Sequence, residues 1–155
     1  MSHEVVNVEI FIMKVEIVKL DKELPTPKYA HHGDAGMDIY SAAEHTLQPG
    51  ERKLIPTGLK IAVPYGFEAQ VRPRSGLALK HGISVVNAPG TIDHQYRGEM
   101  GVILINHGNE AFAIKKGERV AQLVFNKIEI VSLEEVDALP ETDRGAGGFG
   151  STGAK

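Results

Sequence analysis

The chain has 155 residues, 42% of them hydrophobic and 24% charged, which suits one globular domain able to bury a real core. A formal net charge of −3 argues against a general nucleic-acid binder, although a few arginines can still dominate one cleft. With no cysteine, no apolar run of the roughly 18 residues a membrane span needs, and Glu4 and Glu9 in place of a basic leader, the expectation is a cytoplasmic protein without disulfides or membrane contact.

Val6, Val8, Ile10 and Ile12 alternate with Asn7, Glu9 and Phe11, a period of two that predicts a strand over residues 4–12. This stretch forms an N-terminal extension, residues 1–13, ahead of a β domain expected over residues 14–140. Lys14 to Leu20 is a second β-rich run, ended by Pro25 and Pro27. His31 to Ala42 reads as a polar loop entering a short strand. Its two histidines are adjacent, so they would point apart, and no third histidine falls at ligand spacing. Asp38 is better suited to a structural turn or to holding a hydrated Mg²⁺ through water.

Leu59, Ile61 and Val63 alternate up to Pro64, and Phe67, Ala69 and Val71 alternate after Tyr65-Gly66, which predicts two hairpin-linked strands. The second runs into Arg72-Pro73-Arg74-Ser75-Gly76 and then Leu77 to Gly82, a short helix ended by glycine. Arg74, Ser75 and Gly76 thus gather a guanidinium, a hydroxyl and free backbone N–H groups at a helix start. That set fits an anion site, and equally an ordinary Ser N-cap beside a surface arginine.

Asn87 to Gly98 reads N-A-P-G-T-I-D-H-Q-Y-R-G. Pro89 pre-sets φ and Gly90 accepts positive φ, so a tight hairpin is predicted, with Asp93 and Tyr96 beside backbone groups that could meet a flat ligand. Met100 to Asn106, Phe112 to Ile114, Val120 to Phe125 and Ile128 to Val136 complete the predicted strands. Gln122 is the one amide in an apolar strand and needs a partner. Residues 141–155 are Gly-rich yet keep Arg144, Phe149, Ser151 and Thr152, types that could close over a nucleotide. Few segments have a helical period and turns recur often, so the fold class is all-β, a jelly-roll or sandwich-like barrel with one short helix.

Five stretches, in this order, resemble the motifs of the trimeric dUTPases, the deoxyuridine triphosphate pyrophosphatases. They are Ala35 to Ala42, Arg72 to Ala78, Asn87 to Gly98, Gly117 to Leu123 and Arg144 to Gly153. The resemblance implies a jelly-roll homotrimer whose active sites are shared among subunits. It implies hydrolysis of dUTP to dUMP and pyrophosphate by attack on the α-phosphorus, which keeps dUTP low and supplies dUMP for thymidylate synthesis. Uracil would lie along Asn87, Gly90, Thr91 and Ile92, Tyr96 against the sugar at C2′, and Phe149 over the base.

On the same resemblance the triphosphate would meet Arg74, Ser75, Gly76 and Gln122, with Arg144, Gly150, Ser151 and Thr152 arriving on the C-terminal arm. Mg²⁺ would be held mainly by phosphate and water, and Asp93 would orient and deprotonate the attacking water. Aspartate is a weak base, so positioning and cationic stabilisation must supply most of the acceleration. His94-Gln95 stand where many relatives carry acidic or small polar residues, and His94 is expected to face solvent. Two rivals are a dCTP deaminase-like enzyme of the same architecture and a non-catalytic, nucleotide-binding trimeric β module. The complete arm and Asp93 favour the hydrolase.

Overall fold

A computed structural model of the chain describes residues 12–151; the alternation over residues 4–11 and the candidate Thr152 lie outside them. The elements in chain order are β1 (Glu16–Lys19), β2 (Gly36–Tyr40), β3 (His45–Leu47), β4 (Arg52–Pro56), β5 (Leu59–Ala62), β6 (Phe67–Arg72), α1 (Ser75–His81), β7 (Ile83–Val85), β8 (Gly90–Ile92), β9 (Gly101–Asn106), β10 (Phe112–Ile114) and β11 (Arg119–Lys127). The architecture is all-β and jelly-roll-like, with one short helix.

The main sheet has the order β2-β11-β6-β8, and a three-stranded sheet has the order β4-β9-β7. The pairs β1-β5 and β10-β3 complete the set, and every ladder is antiparallel. Where the sequence alternates, as on β5 and β6, the apolar side of the strand is the buried one. Val102 and Leu104 on β9, Ala69 and Val71 on β6, Leu59 and Ile61 on β5, and Leu123 on β11 meet in one core with Ile39, Leu47 and Ile55. Each such side chain contributes roughly 1.5–3 kcal/mol through burial.

Three expectations require correction. Leu59–Ala62 and Phe67–Arg72 do not form a hairpin: β5 pairs with β1, whereas β6 pairs with β11 and β8. Likewise, Ala88-Pro89-Gly90 does not close a hairpin, because β7 pairs with β9 and β8 with β6. In both places the turn carries the chain from one sheet to another, so that two apolar faces meet across the core. Turn chemistry fixes a reversal of direction, not the identity of the strand that pairs next. Finally, Ile128 to Val136 is not a strand. Both edges of β11 are already taken by β2 and β6, and the apolar residues that follow it stay exposed, among them Ile130, Val131 and Leu133.

The helix ends as the sequence indicates. Gly82 caps it at φ 68°, its N–H bonding back to the carbonyls of Leu77 and Ala78. An added Cβ there would also lie 2.7 Å from the backbone nitrogen of Gly108, so this position excludes side chains twice over.

Asn106 is a fully buried polar residue at the end of β9. Its amide donates to the carbonyls of Leu47 (3.0 Å) and Glu110 (2.8 Å), and its oxygen accepts from the N–H of Gly108 (2.9 Å). It therefore ties β9, β3 and the turn before β10 together. Asn106→Ala would leave these groups unpaired in the interior and should destabilise the fold by more than about 2 kcal/mol. Urea unfolding reads this directly, and an unshifted midpoint would show that the knot contributes nothing.

Candidate active site

The two ladders of β11 assemble one end of the site. Gln122 stands opposite Asp38 on β2 and opposite Arg72 on β6, so the three share a row on the outward face of the main sheet. Gln122 is half-buried, and its amide lies over Gly36, where an added Cβ would be 3.2 Å from Oε1. Strand β6 then leads through Pro73 to Arg74, which takes the N-cap position of α1 in an extended conformation.

Arg74 Nε donates to Asp38 Oδ1 at 3.0 Å, and Arg74 Nη1 approaches the carbonyl of Arg119 at 3.4 Å. Arg119 Nε lies 3.7 Å from Asp38 Oδ2. Two guanidiniums thus converge on one carboxylate, leaving a local surplus of positive charge suited to an anion. Ser75 and Gly76 are exposed at the helix start, where backbone N–H groups have no intrahelical acceptor. Arg74, not Ser75, holds the cap position, and no side chain caps the helix. The ordinary Ser N-cap is therefore not what this stretch forms.

Arg119 is the member that sequence reasoning passed over. It lies within the Gly117–Leu123 motif without having been given a role there, and it reaches Asp38 because the β11–β2 register shifts between Arg119 and Ala121. Such an irregularity turns a side chain toward another face and leaves no periodic trace. The turn before it is pinned by Lys116, whose Nζ lies 2.7 Å from Asp21 Oδ2 and 3.2 Å from Glu23 Oε2. These partners hold Lys116 above its ordinary pKa, the Asp21 hydrogen bond most of all, and the same bond holds the Asp21 carboxyl below its own.

Residues 87–96 form the other end. The Ala88–Pro89 peptide is cis. Asn87, Gly90, Thr91 and Ile92 line a depression of about 70 Å³ with Val71 and Gly101. Asn87 and Gly101 are shared with an adjoining cleft of about 290 Å³, which Tyr96, Glu99, Leu54 and Pro56 also line. Gly90 and Ile92 are buried, so what they can offer is backbone, whereas Asn87, Thr91, Asp93 and Tyr96 present exposed side chains. The turn that follows is closed by Tyr96 N–H donating to the Asp93 carbonyl at 3.1 Å. His94 is not simply solvent-facing: its ring packs edge-on against Tyr65, with centroids 5.3 Å apart.

These two ends do not meet within one chain. Gly90 pairs with Val71 and Ile92 with Ala69, which puts Asp93 level with Glu68 rather than with Arg72. Asp93 and the Asp38–Gln122–Arg72 row are thus separated by about four residue repeats, on the order of 13 Å along the strands. Arg144, Phe149, Gly150 and Ser151 are farther still from forming a site. Among the described residues, no hydrogen bond joins 129–151 to the β domain, and Arg144 Nε donates only to the nearby carbonyl of Gly147 (2.8 Å). Phe149 is fully exposed at φ 51°.

No group of three or more metal-ligating side chains occurs among the described residues, and the His31 N–H donates to Asp34 Oδ2 at 2.8 Å instead. An apolar cavity of about 570 Å³ is lined by residues including Val15, Ile17, Tyr29, Met37, Leu123 and Phe125. Met37 and Leu123 alternate with Asp38 and Gln122, so this cavity lies on the opposite side of the main sheet from the charged cluster. Among the described residues, no helix is long and apolar enough to cross a membrane.

Residues 22–153 match the family model described as dUTPase. The deoxyuridine 5'-triphosphate nucleotidohydrolase of Trichodesmium erythraeum is 56% identical over 141 residues, covering 91% of this chain and 99% of that protein. That of Clostridium kluyveri is 55% identical with the same coverage. Among solved structures, a Staphylococcus bacteriophage 80alpha dUTPase with dUpNHpp superposes with a TM-score of 0.84 at 28% identity, covering 90% of this chain and 98% of that one. A dUTPase variant of S. aureus phage phi11, described as coordinating a structural Mg(II) ion, superposes at 0.75 with 25% identity, covering 81% and 98%.

Proposed function

The chain belongs to the dUTPase family, and from that membership we propose that it hydrolyses dUTP to dUMP and pyrophosphate. The observation that carries the reading is the pairing of a cationic cluster at Asp38, Arg74 and Arg119 with a separate cleft built by residues 87–96. One end has the chemistry of a triphosphate anchor, the other that of a flat, polar base. The product dUMP supplies thymidylate synthesis, and removal of dUTP keeps it low. We place the enzyme in the cytoplasm, where nucleoside triphosphates are made.

Uracil lies against Asn87 and the backbone of Gly90, Thr91 and Ile92. A site that hydrogen-bonds one base edge rejects a base whose donors and acceptors are exchanged, because buried groups would be left unpaired. The Tyr96 ring faces the sugar at C2′, so a ribose hydroxyl has no room or partner there. Arg74, Ser75, Gly76 and Gln122 receive the phosphates. Residues 141–155 act as an arm that brings Arg144, Gly150, Ser151 and Thr152 to the phosphates and Phe149 to the base.

Asp93 orients a water in line with the α-phosphorus and accepts its proton as the bond forms, and pyrophosphate departs from the opposite side. A carboxylate is a weak base and supplies a modest part of the acceleration; alignment and the guanidiniums supply the larger part. Mg²⁺ bound with the triphosphate would contribute charge neutralisation on the phosphate oxygens. The donor set fits an ion that keeps phosphate and water as its main ligands. Asp38 is the one carboxylate in the charged cluster, its Oδ1 is already engaged by Arg74, and it would hold the ion through water.

The separation of Asp93 from Arg74 and Gln122 supports a homotrimer in which neighbouring chains complete each site. Two further surfaces call for a neighbour: the exposed apolar residues between Ile130 and Leu139, and the apolar cavity beside β1. Buried by assembly, they would stabilise it; left in water, they would be a liability.

Product analysis with dUTP, dCTP, UTP and dTTP should give dUMP and pyrophosphate from dUTP alone, in the presence of Mg²⁺. Ammonia from dCTP would move the chain to the deaminase chemistry, and turnover of all four would overturn the base assignment. Asp93→Asn should lower kcat by at least about a hundredfold while dUTP affinity, read by calorimetry, stays near the wild-type value; equal losses in both would remove Asp93 from its role. Leu133→Asp, neutral if the exposed side chain meets only water, should dissociate the trimer in light-scattering mass measurements, and an unchanged trimer would exclude this segment from the interface.

A further inference from the structure

The function proposed above uses Tyr96 as a wall against the sugar, and a wall discriminates only if it cannot swing. Tyr96 is a surface-loop residue 46% exposed, where a tyrosine would ordinarily sample several rotamers. Here it is fixed at both ends. Its backbone is held by the turn bond to Asp93, and its carbonyl accepts from Arg97 Nη1 at 2.9 Å. The ring folds back over Gly98, where an added Cβ would collide with the hydroxyl and lie 2.6 Å from Cζ. Its hydroxyl donates to the carbonyl of Glu99 at 2.8 Å.

That carbonyl is a firm anchor because the residue bearing it is attached elsewhere. Glu99 Oε1 accepts from the N–H of Gly58 at 2.8 Å, across 41 positions of sequence. The next residue, Met100, is buried and donates its N–H to the Leu59 carbonyl (2.8 Å). The Met100 carbonyl accepts from Thr57 N–H (3.2 Å) and Thr57 Oγ1 (2.7 Å). The Glu99 side chain belongs to the same residue as the carbonyl that holds the Tyr96 hydroxyl, and hydrolysis itself gives it no other task.

We propose that Glu99 is a positioning residue for sugar selection: by fastening residues 99–100 to residues 57–59, it holds the Tyr96 ring where a 2′-hydroxyl is excluded. The inference rests on the reading of Tyr96 as the sugar wall. Releasing the anchor should let the ring yield to ribose, so the loss appears in selectivity and in KM more than in kcat.

The test is steady-state kinetics with dUTP and UTP for the wild type, Tyr96→Ala, Tyr96→Phe, Glu99→Ala and Glu99→Gln. Tyr96→Ala should collapse the dUTP-to-UTP ratio of kcat/KM. Glu99→Ala and Tyr96→Phe should each lower it by about fivefold, the scale of one hydrogen bond. Glu99→Gln, whose amide oxygen can still accept from Gly58, should restore the ratio. If Tyr96→Ala leaves the ratio intact, the sugar-wall reading falls and the inference falls with it. If Tyr96→Ala lowers the ratio but Glu99→Ala and Tyr96→Phe do not, the reading stands and this inference is overturned. A drop in kcat for both nucleotides at constant ratio would make Glu99 merely structural. Should Glu99→Ala fail to fold, Glu99→Asp, whose shorter side chain draws the carboxylate away from the Gly58 N–H, takes its place with the same expected fall, and an unchanged ratio overturns the inference.

Discussion

The two ladders of β11 are the constraint from which the rest of the molecule follows. This strand lies between β2 and β6, and its register with both puts Gln122 level with Asp38 on one side and Arg72 on the other. Displace either ladder by one residue and Leu123 would turn outward while Gln122 entered the core. Burial of Leu123, Val71 and Ile39 therefore fixes the register, and the register fixes the charged cluster. Hydrophobic packing on one face of the sheet thereby specifies geometry on the other.

Much of this was legible in the sequence, but not all of it for the same reason. Alternation along Leu59 and Ile61, or along Ala69 and Val71, is a local property, and it located strands and their buried faces; Met100 to Asn106 was legible as a strand only from its continuous apolar run, which does not say which face is buried. Partnership is not local. Tyr65-Gly66 and Ala88-Pro89-Gly90 have the composition of hairpin turns, yet the strands they join pair with remote neighbours. Ile128 to Val136 has the apolar content of a strand as well, but Ile130, Val131 and Leu133 find no face of this chain to pack against and stay exposed.

The candidate site divides along the same line. Arg74 and Gln122 could be singled out because each is chemically odd in its setting: an arginine at a helix start, an amide in an apolar strand. Arg119 could not, because a shift in register delivers it to Asp38. The structure also turned one expectation around, with His94 packed on Tyr65 rather than facing water alone. The C-terminal arm has an unusual composition that was plain to read, yet among the described residues no hydrogen bond ties it to the β domain.

Among the described strands, no ladder joins two that are consecutive in sequence. A nascent strand therefore never pairs with the one made just before it; its partner lies farther back in the chain or has yet to be made. Residues 36–40 must wait for residues 119–127, near the far end of the message, before the main sheet can form. Until then β2 has no partner and β6 keeps an open edge toward β11, and long-range pairing of this kind slows folding and leaves strand edges exposed to aggregation. The same late pairing makes closure of β11 a single event that commits the core and the anion cluster together. A polypeptide truncated ahead of it would hold nearly every other strand and still lack both.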